Sequence, residues 1–163
     1  MLAFVATANA MAIGVGDKFP TGALSKFGCS GKKSVIFFYG ADDAPSCSKQ
    51  ISGYDAALSD FAAIGVTVVG VRNPAGVKTV DAAVPLAVDE EDEVRNELEI
   101  PKDFLFLGGR QSYVVDATGT IQAMHNNQFD PESHITVTLD AAKELPAPPG
   151  PLDGLLAMFN GEN

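Results

Sequence analysis

Only two cysteines, Cys29 and Cys47, and two histidines, His125 and His134, occur in 163 residues. So few thiols make no disulfide framework; they fit a reducing compartment or a redox role. Nothing pairs either histidine with a second metal donor, so both read as satisfied surface or hairpin residues rather than ligands, and no metal or other cofactor is implied. No phosphate-binding loop and no serine triad appears. Basic side chains are scarce as well. Eleven Lys and Arg against 21 Asp and Glu leave a net charge of −10, which argues against nucleic acid or an anionic membrane as partner. A small neutral substrate or a basic protein surface is not penalised. An apolar run of the roughly 20 residues needed to span a bilayer is also missing. The amino end, MLAFVATANAMAI at 1–13, is apolar but too short. It lacks the basic residues that open a secretory signal, although Ala8-Asn9-Ala10 resembles a small-residue cleavage site. A targeting remnant, a terminal strand or hairpin, and a docking segment all stay open for it.

What the chain does have is organised around SVIFFYGADDAPSCS at 34–48. Residues 34–39 form a continuous apolar run, too short for a buried helix and rich in β-branched and aromatic side chains, which predicts a central strand buried on both faces. A polar loop follows, and then a segment with Ile51, Tyr54, Leu58 and Phe61 at helical spacing, which predicts a helix to about Ala63 stopped by Gly65. Cys47 falls in its first turn. Unpaired backbone N–H groups and the positive end of the helix dipole there favour a thiolate and hold an anion against it. The plainer alternative is a small core hydrophobe, the commonest fate of a single cysteine.

A second apolar strand at 66–71 completes a βαβ unit, so the fold class is α/β with parallel pairing. The stretch 72–84 holds Pro74 and Gly76 and has room for a turn or two of helix around 77–82. A short strand is expected at 85–89. The acidic run at 89–93 should open a helix ending near Leu98, its acids serving the helix dipole rather than a metal. PKDFLFLGG at 101–109 reads as an apolar loop leaning over the site or forming an interface patch. Residues 111–116 and 120–126 form a hairpin turned at Gly119, and Asp130 with Pro131 opens a last helix whose Ile135, Leu139 and Ala142 face the sheet. Beyond Leu145 a stiff Pro-rich spacer leads to Leu152, Leu155, Leu156 and Phe159 at helical spacing, a piece too short to be stable alone and suited to docking or to disorder.

The 34–48 segment, together with GRQSYVVD at 109–116 and NNQFDPESHI at 126–135, resembles the peroxiredoxins, and their peroxiredoxin Q or bacterioferritin-comigratory branch in particular, from about Gly16 to Leu145. The 14–30 stretch matches the family's opening Gly-Asp-Lys-x-Pro turn and an extended lead-in. The resemblance implies a thioredoxin-like fold at 16–145, with a central mixed β-sheet flanked by helices, an apolar segment at 1–15 and a tail at 146–163. It implies Cys47 as the nucleophile that attacks a peroxide O–O bond and Arg110 as its cationic partner. Ala44, Pro45 and Ser46 would line the substrate, with Ser46 and Ser48 pointing elsewhere on the helix. A structural ion pair of Arg110 with Asp42 or Asp43 is the competing role.

Three family positions differ. The proline seven residues before the cysteine is Gly40, the threonine three before it is Ala44, and the resolving cysteine five after it is Ser52. Cys29 precedes the central strand while Cys47 follows it, a separation of about 20 Å at 3.3 Å per residue, so no intramolecular disulfide is expected. One expectation is then an antioxidant thiol peroxidase of one-cysteine type, weak in turnover, acting on hydrogen peroxide or alkyl hydroperoxides with a thioredoxin-like or glutathione-like reductant. The other is a catalytically lapsed subunit or anchor, bound through 1–15 and 146–163 to a larger assembly such as a photosynthetic membrane complex. By the same resemblance the location is the plastid, stroma or thylakoid-associated, with the cytosol as alternative.

Overall fold

The computed structural model describes residues 12–102 and 108–147. The expectations for 1–11, for the apolar loop at 103–107 and for the tail at 148–163 lie outside the described residues. The sheet has five strands, β1 (Ser34–Phe38), β2 (Thr67–Arg72), β3 (Leu86–Val88), β4 (Gln111–Val115) and β5 (Ile121–His125), in the order β3-β2-β1-β4-β5. β1 runs parallel to β2, which is parallel to β3; β4 is antiparallel to both β1 and β5. This is the mixed sheet of a thioredoxin-like α/β fold.

β1 sits at the centre because every one of its side chains is apolar or small and all five are buried. Alternation sends Val35, Phe37 and Tyr39 to one face and Ile36 and Phe38 to the other. The first face is covered by α2 (Pro45–Ala63) and α4 (Ser133–Lys143), with Phe37 stacked on Tyr54 of α2 at 4.2 Å between ring centres. Burying rings of this size contributes roughly 1.5–3 kcal/mol each, which fixes α2 on the sheet and Cys47 at the carboxyl end of β1. Opposite, α1 (Thr21–Lys26) and α3 (Glu93–Glu97) cover the other face with Ala23, Leu24, Val94 and their neighbours Phe19 and Leu98. α1 replaces the extended lead-in expected at 14–30; its six residues were masked by Gly22 and Thr21, poor helix formers that packing overrides.

Three local expectations are corrected. Residues 77–82 are not helical, and the only turn of the connection is a 3₁₀ turn at Pro74–Gly76. The Lys78 N–H is diverted to the Asp42 carboxylate at 2.9 Å and the Val84 N–H to Asp55 at 2.7 Å, so the backbone donors a helix needs are spent elsewhere. The acidic run forms a 3₁₀ turn, Glu90–Asp92, and α3 starts after a kink in which Glu91 and Asp92 take φ of 55° and 54°. Buried Asp89 causes this by accepting the N–H groups of Val94 and Arg95 at 3.0 and 2.9 Å. α4 starts at Ser133, with Asp130 accepting the Ser133 N–H at 3.1 Å from the turn before it. The 111–126 hairpin turns as expected, with Gly119 at φ 86°.

Candidate active site

α2 begins at Pro45, which needs no hydrogen-bond partner at the first helical position. Its N-cap is Ala44, in extended conformation and without a capping side chain, so the amide groups of the first turn are available to an anion. Cys47 lies there. It is 4% exposed and packs in the apolar cluster under α2. Above it lies Arg110, itself buried, at the entry to β4. Its Nη2 donates to Ser46 Oγ at 2.9 Å and stands 3.8 Å from Cys47 Sγ, while Nη1 donates to Gln50 Oε1. The structure thus brings Cys47 and Arg110 together, and it corrects the orientation of one neighbour. Ser46 points at the guanidinium. Ser48 does turn away, donating to the Asp42 carbonyl at 3.1 Å.

The competing role for Arg110, an ion pair with Asp42, is taken by Arg72. Asp42 is 1% exposed and accepts from Arg72 Nε at 3.1 Å and Nη2 at 3.3 Å, from the Tyr39 hydroxyl at 2.6 Å and from Lys78 N. Burial, reinforced by the bond to Asp42, pushes the Tyr39 phenol far above its ordinary range, so it stays a donor. The Asp42 backbone N–H bonds Gly76 O at 2.9 Å, and Gly76 comes so close to the Gly40 carbonyl that a Cβ there would sit 2.2 Å from its oxygen. The β2–β3 connection therefore clamps the loop that presents Cys47. Arg95 clamps the other side, donating to the Tyr39 carbonyl at 2.9 Å and to the Gly109 carbonyl just before Arg110. Sequence reading missed Arg72 and Arg95. An arginine ending a strand or inside a short helix looks like surface charge until its carboxylate and carbonyl partners are seen.

Both cysteines are free, and they belong to the core clusters on opposite faces of the sheet. Cys29 is 1% exposed, its thiol directed at the Phe27 carbonyl at 3.6 Å and pushed up in pKa mainly by burial. Ser52 is exposed on α2, lining a groove of about 550 Å³ with Lys49, Glu132 and Ile135. A second groove, about 400 Å³, runs from Pro45 and Ser46 past Lys49 to Asp130 and Glu132. Among the described residues no cluster of three metal-binding side chains occurs.

His134 is not a surface residue. It is fully buried, with Nδ1 2.8 Å from Ser112 Oγ and Nε2 3.0 Å from the Asn127 carbonyl and 3.3 Å from the Asn127 N–H, and its ring meets His125 edge-on at 4.6 Å. Both nitrogens are satisfied in the neutral form. Burial above all pulls its pKa down from 6.5 to about 4. The unfolded chain therefore takes up this proton first as pH falls. Stability is unaffected above about pH 7 and declines between about pH 6.5 and 4, by roughly 3 kcal/mol in full. Urea midpoints measured across that range should fall for the wild type, and the His134→Gln chain should lose this component of the slope.

A model of the AhpC/TSA family matches residues 9–124. Among curated relatives, chloroplastic peroxiredoxin Q of Sedum lineare is 38% identical over 130 residues, covering 76% of this chain and 69% of the relative. The chloroplastic peroxiredoxin Q of Populus jackii is 39% identical over 130 residues, covering 76% of this chain and 60% of the relative. Among solved structures, peroxiredoxin Q of Xanthomonas campestris superposes with a TM-score of 0.60 at 21% identity, over 70% of this chain and 79% of that one. A Plasmodium vivax 2-Cys peroxiredoxin superposes with 0.56 at 20% identity, over 70% and 72%. The chain, with its thioredoxin-like sheet and a cysteine opening the helix after the central strand, belongs to the AhpC/TSA family of thiol peroxidases, in the peroxiredoxin Q branch.

Proposed function

We propose that the chain reduces hydrogen peroxide or alkyl hydroperoxides by a one-cysteine mechanism. One observation carries this reading: the Cys47 sulfur stands 3.8 Å from Arg110 Nη2 in the first turn of α2, in a chain of this family. The Cys47 thiolate attacks one peroxide oxygen in line. An S–O bond forms as the O–O bond breaks, sulfur goes to the sulfenic acid, and hydroxide or alkoxide leaves and takes a proton from water. Arg110 holds the thiolate and polarises the oxygens. Ala44, Pro45 and Ser46 form the lip against which the peroxide lies. Gly40 and Ala44 stand where the family carries proline and threonine, and they slow turnover.

The second half of the cycle needs an outside thiol, thioredoxin-like or glutathione-like. Ser52 has no sulfur to offer, and the sheet separates Cys29 from Cys47. One equivalent of hydrogen peroxide followed by a sulfenic-acid trap such as dimedone should label Cys47 and leave Cys29 unlabelled. No internal disulfide should form, and a monothiol should restore the free Cys47. Label on Cys29 alone, or a Cys29–Cys47 disulfide, contradicts the mechanism.

The near-complete burial of Cys47 favours a second reading, a lapsed peroxiredoxin that serves as a subunit or anchor through the 1–15 and 146–163 segments around a 16–145 domain. Failure of peroxide to modify Cys47 at any dose that leaves the fold intact selects it. For either reading the chloroplastic relatives support a plastid location.

A further inference from the structure

We propose that the Ser46 hydroxyl binds the reacting peroxide, supplying the hydrogen-bond donor that Ala44 cannot. This deepens the peroxidase reading and rests on it. Ala44 offers only a methyl group at the N-cap of α2. Two residues on, Ser46 Oγ lies 2.9 Å from Arg110 Nη2, the same nitrogen that stands 3.8 Å from Cys47 Sγ. The hydroxyl is thus held at the guanidinium edge that faces the sulfur. It accepts from Arg110 with a lone pair, and its own proton has no acceptor among the described residues.

A count of donors and acceptors points the same way. The Gln50 side chain is fully buried, gives its Oε1 to Arg110 Nη1, and leaves Nε2 without a hydrogen-bond partner among the described residues. Around one guanidinium the cluster therefore holds two unspent donors, the Ser46 O–H and the Gln50 N–H. Ser46 is half-buried, but a fully buried donor without an acceptor is rare because it costs about 1–3 kcal/mol, so the Gln50 N–H beside this guanidinium marks the place of an oxygen-bearing ligand. A hydroperoxide, with lone pairs on both oxygens, meets that need. In the step itself the S–O bond forms, the O–O bond breaks, and the departing oxygen takes its proton from water. Ser46 only donates a hydrogen bond to a peroxide oxygen and keeps its proton throughout.

The test is a cycle of four chains: wild type, Ser46→Ala, Ala44→Thr and the double substitution. Each is assayed for the second-order rate of Cys47 oxidation by hydrogen peroxide. Ser46→Ala is expected to slow the reaction about 100-fold, as loss of a single transition-state donor does. Ala44→Thr alone should raise the rate far less than it does in the Ser46→Ala background, because one hydroxyl donor is already present. In the Ser46→Ala background, Ala44→Thr should restore most of the rate. Ser46→Thr, which keeps the hydroxyl, should stay near wild type, and thermal midpoints check that each chain is folded. An unchanged rate in Ser46→Ala overturns the proposal. So does a slow Ser46→Ala that Ala44→Thr fails to rescue, since Ser46 would then act only by holding Arg110. A wild-type rate no greater than that of free cysteine overturns the peroxidase reading, and this inference with it.

Discussion

Arg110→Met is expected to slow oxidation of Cys47 by about 1,000-fold while the chain remains folded. The substitution keeps length and burial but removes the positive charge 3.8 Å from the sulfur. It also removes the donors to Gln50 and Ser46. Loss of one preorganised donor costs on the order of 100 to 1,000-fold in other enzymes, and here a charge goes with it, so the upper end is expected. Stability should fall by about 1–3 kcal/mol, because the buried Gln50 carbonyl loses its donor. Stopped-flow oxidation and a thermal midpoint separate the two effects. A rate within about threefold of wild type would remove the guanidinium from the chemistry and leave it a structural role.

Asp42→Ala is expected to lower stability by about 3–5 kcal/mol, the range for breaking a buried ion pair from one side. Three groups lose their acceptor together: the Arg72 guanidinium, the Tyr39 hydroxyl and the Lys78 N–H. Arg72 is 7% exposed, so its charge cannot simply turn to water. Adding Arg72→Met to Asp42→Ala should recover part of the loss, since no charge is then stranded. Amide exchange over residues 40–50 should speed up in the single variant, because Asp42 links this loop to the β2–β3 connection. Urea unfolding of the wild type and the two variants decides it. A loss below about 1 kcal/mol would mean that the loop is held by Arg95 and packing alone.

The same pair shows how much of the molecule was legible beforehand. Residues 34–39 announced a central strand through composition alone, and the helix after it through Ile51, Tyr54 and Phe61, because burial on a sheet imposes periods that a sequence displays. The hairpin was legible from Gly119, where a positive φ is required. Contacts between residues distant in sequence left no such mark. Arg72 and Asp42 are 30 positions apart and Arg95 and Tyr39 56, and nothing in either neighbourhood signals the pairing. The residues expected to be helical at 77–82 misled for the same reason, since Asp42 takes a backbone donor that local propensity assigns to a helix. Ser46 misled more usefully. Helical geometry alone places it beside Cys47 and away from the site, whereas the long reach of Arg110 brings the guanidinium to it.

The central claim is that the sulfur of Cys47, buried under an arginine at the start of α2, is a nucleophile toward peroxide. The most direct measurement is the second-order rate constant of a Cys29→Ser chain with hydrogen peroxide at neutral pH, compared with free cysteine under the same conditions. A rate at least about 100-fold above free cysteine, abolished by Cys47→Ser, is expected, since transition-state stabilisation by one placed donor alone is worth that much. A rate equal to that of free cysteine would contradict it and leave a peroxiredoxin fold with an inert thiol.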